Sequence, residues 1–466
     1  MKIVKFGVGT MVEVRIYGRA PNDYSSQGTD YGSNLKIYQD ILNEIKHEEE
    51  KIEEVHIALY LFNNLHLLNE LLKLKNRGAE VVIISLPLTG YDSRKIKAAR
   101  EVYSAVLRSG LRLLVFPHMY VWYGAEYAGG GASYSFHVKS GIIKYKDGSA
   151  KAFLTSGNLA PGDPTHSETA LFVKDKNPRS LYIRPFELFF KEIEQRSKRY
   201  ENYKNQVDGL DESLQQVFDF AFIGGSNPIN YTANEAQYAF FTAPFISMDG
   251  IGSNHYARLR IVRAIQSAKR RVLLCAQHVH DISPFNGFEG ETVIKALIEA
   301  KTSNAGMDVR VLKQVSSAGL ADKRRAAFVE CHLEHAGVKQ RENKLVHDKF
   351  VVADDTVIVS TSNFTATQFG WGERRMEFKT GINDLAIVEK VVAKANAFFE
   401  NAPRSVECRL VKKRKGKPEV KVVKTDTFSE VNCFVELMDS KLADNLVEYF
   451  NSLWGHRLSS DVKIPV

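Results

Sequence analysis

The chain repeats itself, and the repeat limits what it can fold into. "GSNLKIYQDILNEIKHEEEKIEEVHIALYLF" (32–62) and "GSNHYARLRIVRAIQSAKRRVLLCAQHV" (252–279) both open on Gly-Ser-Asn. Each runs through a helix-period segment, such as Ile37, Ile41 and Ile45, and then enters a short apolar strand. A second helix follows in each copy and ends near a Gly, where a helix C-cap favours positive φ. Buried strands come next, "AEVVIISLP" and "MDVRVLKQV". This alternation predicts an α/β fold of two pseudo-symmetric lobes, each a mixed β-sheet flanked by helices. On this reading 1–205 form the first lobe, 206–251 a connecting segment, 252–401 the second lobe and 402–466 a small basic C-terminal extension. The second lobe is expected to close on a helix at 386–400, as the first closes on one at 183–198.

At 466 residues, the chain exceeds one ordinary core. No apolar run has the length needed to span a bilayer, and the first residues alternate like a strand rather than a secretory signal. A cytoplasmic protein is expected. Cys275, Cys331, Cys408 and Cys433 are scattered without a C-x-x-C pair, so neither a zinc site nor a disulfide framework is indicated. Net charge is +8 and the pI about 9.0, which favours polyanionic partners. "RLVKKRKGKPEVKVVK" (409–424) holds eight Lys or Arg and one Glu. A solvated basic hairpin and a phosphate-contacting one remain alternatives here.

Within the repeat lie two matching constellations. "HVKSGIIKY" and "KAFLTSGN" flank an Asp-Gly turn in the first copy, and "HDKFVVA" and "VIVSTSN" flank "DDT" in the second. Side chains two apart on a strand share a face, so His137 pairs with Lys139 and His347 with Lys349. Across each turn lie Ser156 and Asn158, and Thr361 and Asn363. Two such sets suit in-line displacement at a phosphodiester. Lysines and amides would stabilise the non-bridging oxygens, one imidazole would attack phosphorus, and the other would move the proton.

The pattern H-x-K-(x)4-D followed by G-S-x-N resembles the phospholipase D superfamily, which spans lipid-cleaving and cardiolipin-synthase-like enzymes, metal-independent nucleases and tyrosyl-DNA phosphodiesterases. The resemblance covers roughly 32–200 and 252–400. It implies a catalytic set of His137, Lys139, Asn158, His347, Lys349 and Asn363, with Ser156, Asp354 and Thr361 in support. Glu168 and Glu377, ten and fourteen positions after their Asn residues, resemble the family acid that orients a histidine. Family usage makes His137 the nucleophile and His347 the general acid. No metal or other cofactor is implied. The first copy departs from the pattern. Lys144 stands in the Asp position, and nineteen positions separate His137 from Ser156, against fourteen from His347 to Thr361.

Two flanking segments bear on substrate. "FPHMYVWYGAEYAGGGASYSF" (116–136) has no counterpart of similar length. Tyr120, Trp122 and Tyr123 there would stack bases, or pack against the other lobe. Arg374 and Arg375 would meet a substrate backbone, or pair with acidic neighbours. The expected function is a metal-independent phosphodiesterase acting as a nuclease through a covalent phosphohistidine. Nucleic acid is the expected partner, DNA ahead of RNA, and no membrane is. A phospholipid hydrolase or transferase with the same site, and a nucleic-acid-binding protein with a dead site, are the alternatives. No P-loop occurs, so an ATP-driven partner protein would be a separate chain.

Overall fold

The computed structural model describes residues 3–6, 12–19, 36–86, 93–116, 119–121, 131–134, 136–160, 166–202, 229–243, 246–281, 291–315, 320–365, 368–369, 375–380, 405–414, 417–426 and 430–463. In chain order, the first lobe contains β1 (Ile3–Phe6), β2 (Val12–Arg19), α1 (Lys36–Lys46), β3 (Ile52–Leu59), α2 (Leu65–Asn76), β4 (Glu80–Ser85), α3 (Ser93–Arg108) and β5 (Arg112–Val115). It continues with β6 (Lys139–Tyr145), β7 (Ala150–Thr155), β8 (Glu168–Asp175), α4 (Arg184–Arg196) and β9 (Lys198–Arg199). These strands make one sheet in the order β1-β2-β8-β7-β6-β3-β4-β5-β9.

The second lobe contains β10 (Ala239–Thr242), α5 (Ser253–Ser267), β11 (Arg271–Ala276), α6 (Val293–Ser303), β12 (Asp308–Lys313), α7 (Leu320–His335) and β13 (Lys339–Glu342). It ends with β14 (Lys349–Ala353), β15 (Thr356–Ser360), β16 (Asn432–Met438), α8 (Ser440–Trp454) and β17 (Ser460–Asp461). Its sheet order, β10-β16-β15-β14-β11-β12-β13-β17, repeats that of the first from β2 onward. The directions repeat too. β3, β4 and β5 are mutually parallel, as are β11, β12 and β13, and the hairpin strands run antiparallel beside them.

The domain boundaries need correction. β10 comes from the expected connecting segment, and β16, α8 and β17 come from the expected extension, yet all belong to the second lobe. The cause is a fourth antiparallel strand. β8 completes the first hairpin on its outer side, and the second hairpin finds its equivalent only at β16, after the intervening residues 366–430. α8 takes the place of α4. The helix expected at 386–400 lies outside the described residues. The basic run is neither an extension nor a tail. Strands Ser405–Arg414 and Lys417–Asp426 form an antiparallel hairpin, and Arg375–Thr380 pairs parallel to it. This ribbon is inserted between β15 and β16. Its first strand lies against Met119–Val121, so the two segments without counterparts meet.

One face of the first sheet, through Val55, Ile57, Val81 and Ile83, packs under α1–α3. The other face, through Ala58, Val82, Ile84, Leu154 and Leu171, shares one core with α4 and the second lobe. The contact between lobes is reciprocal. Phe189 of α4 stacks on Phe241 of β10 at 4.0 Å between centroids. On the opposite side Tyr449 of α8 lies over Gly18 of β2, where an added Cβ would sit 2.7 Å from the ring. Burying these aromatics ties the lobes into one body. Among the described residues no helix is long and apolar enough to cross a membrane.

Candidate active site

Each motif enters its sheet at the same place. β6 begins at Lys139 and β14 at Lys349, each paired with the C-terminal residues of β3 or β11. The Asp-Gly turn forms as expected. Gly148 has φ +80°, and Ser149 N donates to the Asp147 carboxylate at 2.9 Å. Just before each lysine, the chain crosses to the other lobe. His137 N donates to Val431 O at 3.0 Å, and His347 N donates to Ser167 O at 3.2 Å. This exchange brings both histidines to the lobe boundary, where the charge of His137 is felt at His347.

Side chains beneath them follow the same symmetry. Ser156 N donates to Thr169 O at 2.8 Å, and Thr361 N donates to Cys433 O at 3.0 Å. Glu168 and Asn432 therefore stand at equivalent positions, one residue before these carbonyls. Glu168 Oε1 lies 2.8 Å from His347 Nδ1, and its Oε2 accepts from Ser156 Oγ. Asn432 Oδ1 lies 3.3 Å from His137 Nδ1 and accepts from Thr361 Oγ1 at 3.0 Å. Ser156 and Thr361 each hold the group that holds the histidine of the opposite lobe.

Lys139 and Lys349 are fully buried, and each donates to the carbonyl of its own histidine, at 2.9 and 2.7 Å. Lys139 also lies 5.5 Å from the Tyr60 ring centre, and Tyr60 meets His137 edge-on at 5.4 Å. Burial, then the charges of both lysines, holds each imidazole well below its usual 6.5. Each histidine thus feels the lysine of the other motif. Asn363 Oδ1 accepts from His278 N at 3.3 Å, leaving its amide hydrogens as donors. Asn158 precedes Leu159, which is held at φ 55° with its carbonyl bonded to Asn64 Nδ2 at 2.7 Å.

Other expected residues fall elsewhere. Asp354 sits at the hairpin turn, away from His347, and accepts from the backbone N–H groups of Lys269, Arg270 and Arg271 at 2.7, 2.9 and 2.9 Å. It fastens the hairpin to the start of β11. Its counterpart Lys144 instead pairs with Glu54 at 2.9 Å. Glu377 lies in the inserted ribbon, at a register position opposite Arg409 rather than in the second sheet. The position that orients His137 is Asn432, because the insertion displaces β16 by the length of the ribbon. Tyr120 and Arg375 lie on the two ribbons that meet. Trp122, Tyr123 and Arg374 lie outside the described residues.

Several neighbours escaped the sequence reading. Glu430 Oε2 is 3.7 Å from His137 Nδ1 and accepts from Gln368 Nε2. The His166 ring is 5.7 Å from that of His347. Asp348, fully buried, accepts from the hydroxyls of Ser167 and Thr169 of the first lobe and from Tyr449 at 3.1 Å. Burial pushes its carboxyl up. The one signal for Asp348 was its place between His347 and Lys349.

Residues 261–401 match the family described as cardiolipin synthase, PLD-like domain. That stretch, which holds the second H-x-K motif, is similar to the PLD-like domain family. The match ends at 401, although the second lobe continues through β16 and α8. No curated protein sequence matches the chain. Among solved structures it is similar to phosphatidylserine synthase of Haemophilus influenzae Rd KW20, with 9% identity, a TM-score of 0.47 and coverage of 96% of this chain and 89% of that one. It is also similar to yeast tyrosyl-DNA phosphodiesterase (H432N mutant), with 11% identity, a TM-score of 0.43 and coverage of 92% and 91%. For polyphosphate kinase of Porphyromonas gingivalis the identity is 11%, the TM-score 0.44 and the coverage 94% of this chain; the chain spans half the length of that kinase.

Proposed function

We propose that this protein hydrolyses nucleic-acid phosphodiesters through a covalent phosphohistidine, without a metal. The observation that supports the chemistry is the exchange at the lobe boundary, which brings two distant H-x-K motifs to the same boundary. A phosphate there is flanked by two imidazoles. Lys139, Lys349 and the amides of Asn158 and Asn363 supply positive charge and donors to its oxygens. One Nε2 attacks phosphorus, and the other imidazole protonates the leaving oxygen. Water then attacks the phosphoramidate, gives its proton to that second imidazole, and the P–N bond breaks.

The inserted ribbon favours nucleic acid over phospholipid. It leaves the sheet after Asn363 and returns at Glu430 and Asn432, so a hairpin with eight Lys or Arg in 409–424 springs from the site itself. Such a basic strand pair would follow a charged backbone. The first lobe's aromatic segment, which leads into His137, meets this ribbon. The test offers labelled single- and double-stranded DNA, RNA and phosphatidylcholine vesicles in EDTA, beside His137→Ala and His347→Ala. DNA cleavage by the wild type alone supports the reading. Loss of cleavage in EDTA with recovery in Mg²⁺, or release of phosphatidic acid without cleavage of nucleic acid, overturns it.

A further inference from the structure

The two histidines are built to do different jobs. At the equivalent position beneath each ring, a carboxylate stands beside His347 where an amide stands beside His137. Glu168 is buried to 2% exposure and is held by Ser156, with its other oxygen on His347 Nδ1. The His347 proton therefore sits on Nδ1, and the Nε2 lone pair is free. If Nε2 bonds to phosphorus, the ring becomes cationic, and Glu168 lies against that charge.

Asn432 offers His137 a neutral acceptor. Its orientation is fixed by a relay. Cys433 N donates to Thr361 Oγ1 at 3.0 Å, so the Thr361 hydroxyl hydrogen is directed to Asn432 Oδ1. Oδ1, not the amide nitrogen, thus faces His137 Nδ1, which must be the donor. A neutral partner stabilises imidazolium less than a carboxylate does, leaving a more acidic proton on Nε2. Among the described residues, the nearest carboxylate to this ring, Glu430, is 3.7 Å away and engaged by Gln368. Lys139 and Lys349 act on both rings, and His166 adds to the field at His347.

We infer that His347, in the second motif, is the nucleophile, that His137 is the proton donor and then the base, and that Glu168 and Asn432 assign these roles. This deepens the proposed phosphodiesterase reading and rests on it. His347 Nε2 forms the P–N bond as the bond from phosphorus to the leaving oxygen breaks, and that oxygen takes the Nε2 proton of His137. Water then bonds to phosphorus and passes its proton to His137, and the P–N electron pair returns to His347.

The test uses bis(p-nitrophenyl) phosphate, whose leaving group needs little protonation. Wild-type enzyme is quenched during turnover and digested with trypsin at alkaline pH, where a phosphoramidate survives. The p-nitrophenyl phosphoryl group is expected on the peptide 345–349, which carries His347, and not on 113–139, which carries His137. His137→Ala should give a burst of one p-nitrophenolate per site, then turnover reduced about 10²-fold or more for want of a base. His347→Ala should give no burst. An adduct on 113–139, or a burst kept by His347→Ala and lost by His137→Ala, overturns the assignment alone. Turnover with no adduct in either form overturns the covalent step as well. Failure of the wild type to cleave this diester or DNA overturns the phosphodiesterase reading, and the assignment with it. Asn432→Asp gives an independent reading. A second carboxylate should raise the pKa governing proton donation and shift the pH–rate profile to higher pH, and an unmoved profile with lost stability would reduce Asn432 to a structural role.

Discussion

Glu168 and Asn432 occupy the same register position beneath the two histidines and differ by one charge. Glu168→Gln removes that charge and offers an amide N–H to a nitrogen that is itself a donor. The favoured tautomer of His347 is then lost. A fall in kcat of about 10²-fold or more is expected, with little change in Tm. Steady-state kinetics beside a thermal melt decide it, and an unchanged kcat sinks the role.

Lys139 and Lys349 are buried cations that face the site. Replacing either with Met, which has similar length, should lower kcat/KM by about 10² to 10³ by removing one stabilising donor. Stability should hold or rise, because a desolvated charge is gone. Loss of activity that tracked loss of folding by circular dichroism would assign these lysines to structure instead.

Burial and the charges of both lysines hold both histidines below 6.5. The productive free enzyme needs one imidazole protonated, so kcat/KM should rise as pH falls from 8 through 6.5. Lys139→Met removes a charge that depresses both rings and should move this limb to higher pH. The stability sign is opposite. The unfolded chain binds protons at its ordinary histidine pKa before the folded one does, so stability falls as pH drops below about 6.5. Melting temperatures and pH–rate profiles over this range check both.

Tyr449 joins the lobes through its ring over Gly18 and its hydroxyl on Asp348. Tyr449→Phe keeps the ring and should cost about 1.5–3 kcal/mol, since the lost hydrogen bond is to a buried carboxylate. Gly18→Ala drives a methyl into the ring and should cost about 1–3 kcal/mol. Urea denaturation measures both, and two neutral results would remove Tyr449 from the lobe contact.

Truncation after residue 401, where the family match ends, should not give a trimmed enzyme. It removes β16 from between β10 and β15 and opens the second sheet, along with α8 and Asn432. An aggregated or unfolded product by size exclusion and circular dichroism is expected. A folded, active fragment would contradict the strand order.

The sequence by itself determined the duplicated α/β lobes and the two H-x-K hairpins. Alternation, helix period and turn chemistry act over a few residues and survive in linear order. The Asp147-Gly148 turn and the pairing of His137 with Lys139 are of this kind. Glu168 was legible too, because it stands only ten positions after Asn158. Asn432 was not, since 366–430 intervene and nothing local distinguishes it from Glu377. Its place is decided by an antiparallel pairing that closes the second sheet across that insertion. The tertiary structure alone also decided that Asp354 serves a turn, that Asp348 joins the lobes, and that each histidine is held by a residue from the opposite lobe. Such contacts depend on which strands become neighbours in space, and the partner that fixes an imidazole's proton is chosen there.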